Sequence, residues 1–205
     1  MTEFFSFLQL AVYVSFLQSL VFTSSFGISE AVRLAKRPKH FFTTSFSVTA
    51  FSVYLSVACH FADRIKFLEN LSFSFSFLLY VLILLFGYLL SAAVMKKLFG
   101  ADKKFLNSLG MCAVNTLVLS LPTLSYKGSL TLSEALGMGI GAGLAFTLAL
   151  LLINGGMKFI HRNKLIPEFM KGTPALFIYT AILSLALSSI TGDFLNRKGK
   201  DNEKI

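Results

Sequence analysis

The sequence predicts an all-α fold, a polytopic membrane protein with six transmembrane helices, and three observations predict it. Of 205 residues, 55% are hydrophobic and only 14% charged, and the mean hydropathy is +0.71. The apolar residues gather into six runs near the ~20 residues that a helix needs to cross a bilayer core. The charges fall almost wholly in the gaps between those runs. A soluble domain of this size would expose large sticky patches that a bilayer accommodates without cost. The chain therefore reads as one integral membrane domain over residues 1–205.

The first run is Phe4 to Phe26. Met1-Thr2-Glu3 ahead of it carries no Lys or Arg, and no Ala-x-Ala pattern follows it, so a retained first helix is expected. A basic gap with Arg33, Lys36, Arg37 and Lys39 leads to the second run, Phe41 to Ala62. The mixed gap Asp63 to Asn70 precedes the third, Phe73 to Met95. The alternation in Leu71-Ser72-Phe73-Ser74-Phe75-Ser76-Phe77 is strand-like, but a β-barrel needs many such segments, and this one sits inside a longer apolar run. After Lys96, Lys97, Lys103 and Lys104 comes the fourth run, Leu106 to Leu124, ending at the turn Tyr126-Lys127-Gly128. The fifth is Leu136 to Met157, followed by Lys158, Arg162, Lys164 and Lys171. The sixth is Thr173 to Thr191, and a charged tail, Gly192 to Ile205, ends the chain.

The net charge of +9 invites a nucleic-acid reading, but these Lys and Arg residues lack a soluble scaffold. They orient the chain instead. Gaps one, three and five carry the twelve cations just named, whereas the two opposite gaps hold only Arg64, Lys66 and Lys127. The positive-inside rule places the odd gaps in the cytoplasm and both termini outside; the four cations of the tail pull the other way and are outvoted. Cys59 and Cys112 are too few for a disulfide framework or a metal-ligand motif and read as buried packing residues. The six runs contain no Asp, Glu, Lys or Arg, and His60 near the end of the second reads as an interfacial histidine.

Three helices followed by three suggest an inverted repeat, with halves at about 1–100 and 101–205, because an odd number of crossings flips the second copy. A weak echo supports it: Phe22-Thr23-Ser24-Ser25 and Asn115-Thr116-Leu117-Val118 both place small polar residues in the first helix of their half.

Met1-Thr2-Glu3 opening directly into a helix resembles the start of the A subunit of Rnf complexes. Pro167-Glu168-Phe169-Met170-Lys171-Gly172-Thr173-Pro174, Ile182-Leu183-Ser184-Leu185-Ala186 and Thr191-Gly192 resemble the same protein, and the E subunit of the sodium-pumping NADH:quinone reductase too. Gly139-Ile140-Gly141-Ala142-Gly143, running to Met157-Lys158, is similar to the fifth helix of this RnfA/NqrE family. The resemblance implies six helices in a 3+3 inverted repeat with the first helix of each half broken. It also implies pairing with a paralogue of opposite orientation in a bacterial cytoplasmic membrane. The complexes carry flavins and iron–sulfur clusters, and each paralogue gives two cysteines to a cluster at the pseudo-symmetric centre.

At those places this sequence departs from the family. The family's Gly-Leu-Cys-Pro stretch matches Phe22 to Ser29, where Thr23 or Ser24 stands for cysteine; its Thr-Asn-Cys-Ala-Val matches Val114 to Val118, where Thr116 stands after Asn115. Neutral hydroxyls are poor ligands where clusters take thiolates. The implied subunit binds no cofactor by itself.

Thr23, Ser24, Ser25, Asn115 and Thr116 have two readings: a broken-helix cation site near the midplane, or hydroxyls bonding back to their own helix. Any ion route through this chain would use carbonyls, hydroxyls, Asn115 or Asn154, or a partner. Gly137, Gly139, Gly141 and Gly143 form overlapping small-xxx-small pairs that permit close helix contact; a dinucleotide loop would need a preceding strand that is absent. Three functions follow: a non-catalytic subunit of a redox-driven Na⁺ or H⁺ translocase; a non-redox transporter such as an energy-coupling-factor substrate-binding component; or a purely structural assembly subunit. The second usually carries an Ala-x-x-x-Ala motif in its first helix, and Phe4 to Phe26 has none.

Overall fold

The computed structural model describes residues 2–12, 14–15, 22, 26–35, 41–64, 73–100, 102–125 and 131–202. These form helices α1 (Thr2–Val12), α2 (Ile28–Ala35), α3 (Phe41–Asp63), α4 (Phe73–Phe99), α5 (Lys103–Ala113), α6 (Thr116–Ser125), α7 (Leu132–Arg162) and α8 (Thr173–Asn202). No strand occurs among the described residues, and the alternating Phe/Ser stretch from Phe73 onward is helical.

By length and composition four stretches can cross a bilayer: Phe41–Asp63, Phe75–Lys97, Phe105–Thr123 and Leu132–Arg162, with Thr173–Leu187 a shorter apolar helix. The chain is thus a multi-pass membrane protein. Much of the first expected run, at 16–21 and 23–25, lies outside the described residues.

The fourth run is two helices, α5 and α6, separated at Val114–Asn115, the break that the resemblance implies for the first helix of the second half. Three elements differ from expectation. Residues 28–35, expected in a basic gap, form α2, because Ala31 and Val32 are buried while Glu30 and Arg33 pair along the outer side at 2.7 Å. The tail expected from Gly192 continues α8 to Asn202, since no proline interrupts it. The fifth helix also starts earlier, at a capping box: Glu134 Oε2 accepts from Thr131 N at 2.8 Å while Thr131 Oγ1 accepts from Glu134 N at 3.4 Å.

Helix α7 is the hub, touching α1, α2, α3, α6 and α8. Its glycines work as two offset pairs. A Cβ on Gly137 or Gly141 would lie 2.7 Å from the carbonyl oxygens of Phe7 or Ala11 on α1. On Gly139 it would lie 2.6 Å from Val53 Cα, and on Gly143 2.3 Å from Thr49 Oγ1, both on α3. Each pair admits one neighbour at backbone contact. Polar groups close the seams: Ser56 Oγ donates to the Ala135 carbonyl at 2.6 Å, and Ser15 Oγ lies 3.1 Å from that of Gly141.

A second device recurs at three seams. Tyr54, Tyr88 and Tyr179 lay their rings on Gly87, Gly110 and Gly156 of a neighbouring helix. Each hydroxyl donates to the carbonyl four residues before that glycine: Ile83 at 3.2 Å, Leu106 at 3.5 Å and Leu152 at 3.3 Å. The absent Cβ lets the ring lie flat on the helix, and the hydroxyl then meets a carbonyl one turn away. At the far end of α3, Tyr80 donates to the Asp63 carboxylate, and His60 is buried at 8% exposure instead of facing the interface. The outer face of α4 exposes Phe75, Leu78, Leu82, Leu85 and Leu89, an uncharged stripe suited to acyl chains.

Candidate functional site at the helix break

The break between α5 and α6 falls at the middle of the stretch Phe105–Thr123, which is long and apolar enough to cross a bilayer. Helix α5 ends with Val114 N donating to the Gly110 carbonyl at 3.0 Å, and α6 begins with Leu119 N donating to the Asn115 carbonyl at 3.0 Å. Asn115, 1% exposed, caps α6: its Oδ1 accepts from Leu117 N at 3.2 Å. That bond fixes which end of the amide is oxygen. The other end, Nδ2, is buried and has no hydrogen-bond partner among the described residues.

The first half of the chain meets the second here. Phe26 and Gly27 turn at Gly27 φ +77°, and α2 begins with Ala31 N donating to the Gly27 carbonyl at 2.9 Å. Gly27 N donates to Thr116 Oγ1 at 2.7 Å. A side chain at 27 would be strained by the positive φ and would stand 3.0 Å from Asn115 Oδ1. The N-termini of α2 and α6 therefore converge, and both bring partial positive charge to the junction.

Glu30 and Arg33 enter the same neighbourhood, although sequence reasoning assigned Arg33 to a loop and passed over Glu30. The pair lies one to two turns along α2 from the Gly27 turn, and Arg33 Nη2 also reaches Met111 Sδ on α5 at 3.1 Å. This charge pair beside the break stands outside the six runs chosen by hydropathy. The signal was available: Ile28, Ala31 and Val32 spaced for one helical face, after a glycine, with Glu30 and Arg33 at i and i+3.

A cavity of about 10 Å³ opens beside the junction, lined by Glu30, Arg33, Thr44, Ser108, Cys112 and Asn115 and walled by Phe146. Cys112 and Thr44 both line this cavity. Both cysteines are free and buried. Thr44 and Cys59 are 15 residues apart on α3, a rise of about 22 Å, so Cys112 and Cys59 sit at different depths.

Of the sequence-derived site residues, Asn115 and Thr116 lie at the break and Thr116 touches Gly27. Thr23 and Ser24 lie outside the described residues. Asn154 is half-buried on α7, away from the polar residues that line the cavity. The glycines Gly137, Gly139, Gly141 and Gly143 serve close helix packing. Among the described residues no group of three or more His, Cys, Asp or Glu is placed to hold a metal.

No family model matches the chain. Among curated proteins, the A subunit of the ion-translocating oxidoreductase complex of Rhodobacter capsulatus is 32% identical over 84 residues, 41% of this chain and 43% of that protein. Its counterpart from the same species, without a strain designation, matches equally. The match spans less than half the length of these relatives. The chain resembles the RnfA/NqrE family, in divergent form.

Proposed function

We propose that this chain is a non-catalytic membrane subunit of an Rnf/Nqr-like, redox-driven complex that translocates Na⁺ or H⁺. The observation that carries the proposal is the break at Val114–Asn115, midway through an apolar span and at the chain's own surface. Val114 is 63% exposed, and Thr116 beside it is exposed too. Interrupted backbone at that depth is tolerated only under cover of protein or water. A paralogous chain of opposite orientation, presenting its own break to this one, would supply that cover. The similarity to the A subunit of an ion-translocating oxidoreductase complex supports the same reading.

The residues at the junction do not fit an iron–sulfur cluster. Thr116 Oγ1 already accepts the Gly27 N–H, and a neutral hydroxyl is a weak ligand for iron. Cys112 lies one turn before Thr116 and is buried beside the cavity instead of at the exposed break. In this proposal the chain donates no thiolate to a cluster and acts as scaffold and ion conduit beside the subunits that carry the redox groups. Its place is the bacterial cytoplasmic membrane, with both termini on the external side and its helices in a 3+3 inverted repeat.

The test is purification of the native complex in mild detergent with its subunit list and iron content. Flavoprotein and ferredoxin-like subunits are expected beside a second six-helix chain; an ATPase pair instead would identify an energy-coupling-factor importer. Thr23→Ala with Thr116→Ala should leave iron per complex unchanged, whereas Thr23→Cys with Thr116→Cys should raise it if the paralogue offers two thiolates. Loss of iron in the alanine variant would refute the proposed absence of ligands.

A further inference from the structure

We propose that the cavity beside the junction binds one buried water molecule, held by Asn115 Nδ2, and that this water is the inner end of a hydrated path opening at the Glu30–Arg33 pair. The inference rests on the fold alone and stands whether or not the chain serves a redox complex.

Four observations lead to it. Asn115 is 1% exposed and its Nδ2 has no partner among the described residues, although Oδ1 is engaged by Leu117 N. A buried amide donor left bare costs about 1–3 kcal/mol, so a ligand that accepts from it is strongly favoured. The residue lines the cavity described above, whose volume of about 10 Å³ is close to the least that admits a single water. Both α2 and α6 start at this junction, which further favours an acceptor atom.

The chemistry of the lining selects water over an ion. Asn115 and Arg33 donate, Glu30 accepts, and the hydroxyls of Thr44 and Ser108 do either. A halide would meet the Glu30 carboxylate and needs more room. A cation would meet the Asn115 donor and the positive ends of two helices. Water satisfies both signs, turning its oxygen to Nδ2 and its protons towards acceptors. The Glu30–Arg33 pair, with side chains 29% and 50% exposed, stands at the outer side of the cavity, where the proposed path opens. A hydrated step from the break to a carboxylate is the element the span sequences lacked for moving a proton or solvating a monovalent cation.

Radiolytic footprinting of the full chain in lipid nanodiscs tests this, because hydroxyl radicals formed from a bound water modify the side chains beside it. Cys112 lines the cavity; Cys59, also buried (0% exposed against 5% for Cys112), lies near the other end of α3 and is the internal control. Cys112 should be oxidised at least tenfold faster than Cys59. Asn115→Leu, which removes the donor and fills the space, should slow Cys112 at least fivefold and leave Cys59 unchanged. Asn115→Asp keeps the cap to Leu117 and offers water an acceptor, so Cys112 should stay within twofold of the parent; this variant decides the matter if the leucine variant fails to fold. Equal rates at Cys112 and Cys59 in the parent, or an Asn115→Asp variant that reacts no faster than Cys59, would overturn the proposal.

Discussion

Thr116 and Gly27 join the two halves of the chain through one 2.7 Å bond from a backbone N–H to a hydroxyl. Residues 27 and 116 are far apart in sequence, so the bond forms only when both halves have packed. Removing the hydroxyl leaves the Gly27 N–H without that acceptor, which costs about 1–3 kcal/mol where water cannot replace it. Thr116→Ala is therefore expected to lower the melting temperature of the purified chain by several degrees, and Thr116→Ser to restore most of the loss. Equal melting of the alanine and serine variants would show that the hydroxyl does not join the halves. At this scale Asn115 and Thr116 were legible as polar residues inside an apolar run. Glu30 was not, because a hydropathy window averages one charge pair into the adjoining basic gap.

At the scale of elements, glycine content alone does not say which glycine matters. Gly155 and Gly156 are neighbours on α7, yet a Cβ on Gly155 meets nothing within 4 Å, while one on Gly156 would lie 2.3 Å from the Tyr179 ring. Gly155→Ala should stabilise α7 by roughly 0.5–1 kcal/mol through helix propensity. Gly139→Ala, aimed at the α3 backbone, should destabilise by about 1–3 kcal/mol because neither helix can retreat without losing contacts along its length. Thermal melts of the two variants should move in opposite directions; a shared direction would contradict the packing described for α7. The small-residue pairs were readable from their four-residue spacing, and the assignment of Gly137 and Gly141 to α1 but Gly139 and Gly143 to α3 was not. Nor were the three tyrosine–glycine seams, since a tyrosine and its glycine share no periodicity when they lie on different helices.

For the whole molecule, the decisive feature is the uncovered surface. The outer face of α4 suits lipid, but the polar break with exposed Thr116 does not. Expressed without partners, the chain should self-associate or lose stability in detergent, read by size-exclusion profile; a stable functional monomer would count against membership of a complex. Orientation is testable separately. The excess of Lys and Arg in alternate gaps predicts that Ile205 is outside, so a reporter active only in the cytoplasm should stay silent there. A strong signal would invert the topology.

Composition and spacing by themselves determined that the chain lives in a bilayer, that it is helical, where most helices run and which gaps carry the charge. Those properties follow from local transfer and hydrogen-bonding costs, which each segment meets on its own. Hydropathy alone did not show the break at Val114–Asn115, because both half-helices are apolar; the family resemblance implied it. Only the tertiary structure decided that Gly27 and Thr116 meet, that Glu30 and Arg33 belong to a helix beside the break, and that Asn115 Nδ2 is left facing a cavity. Each depends on residues far apart in sequence occupying one place, and the energy of such a contact is not a property of any single segment.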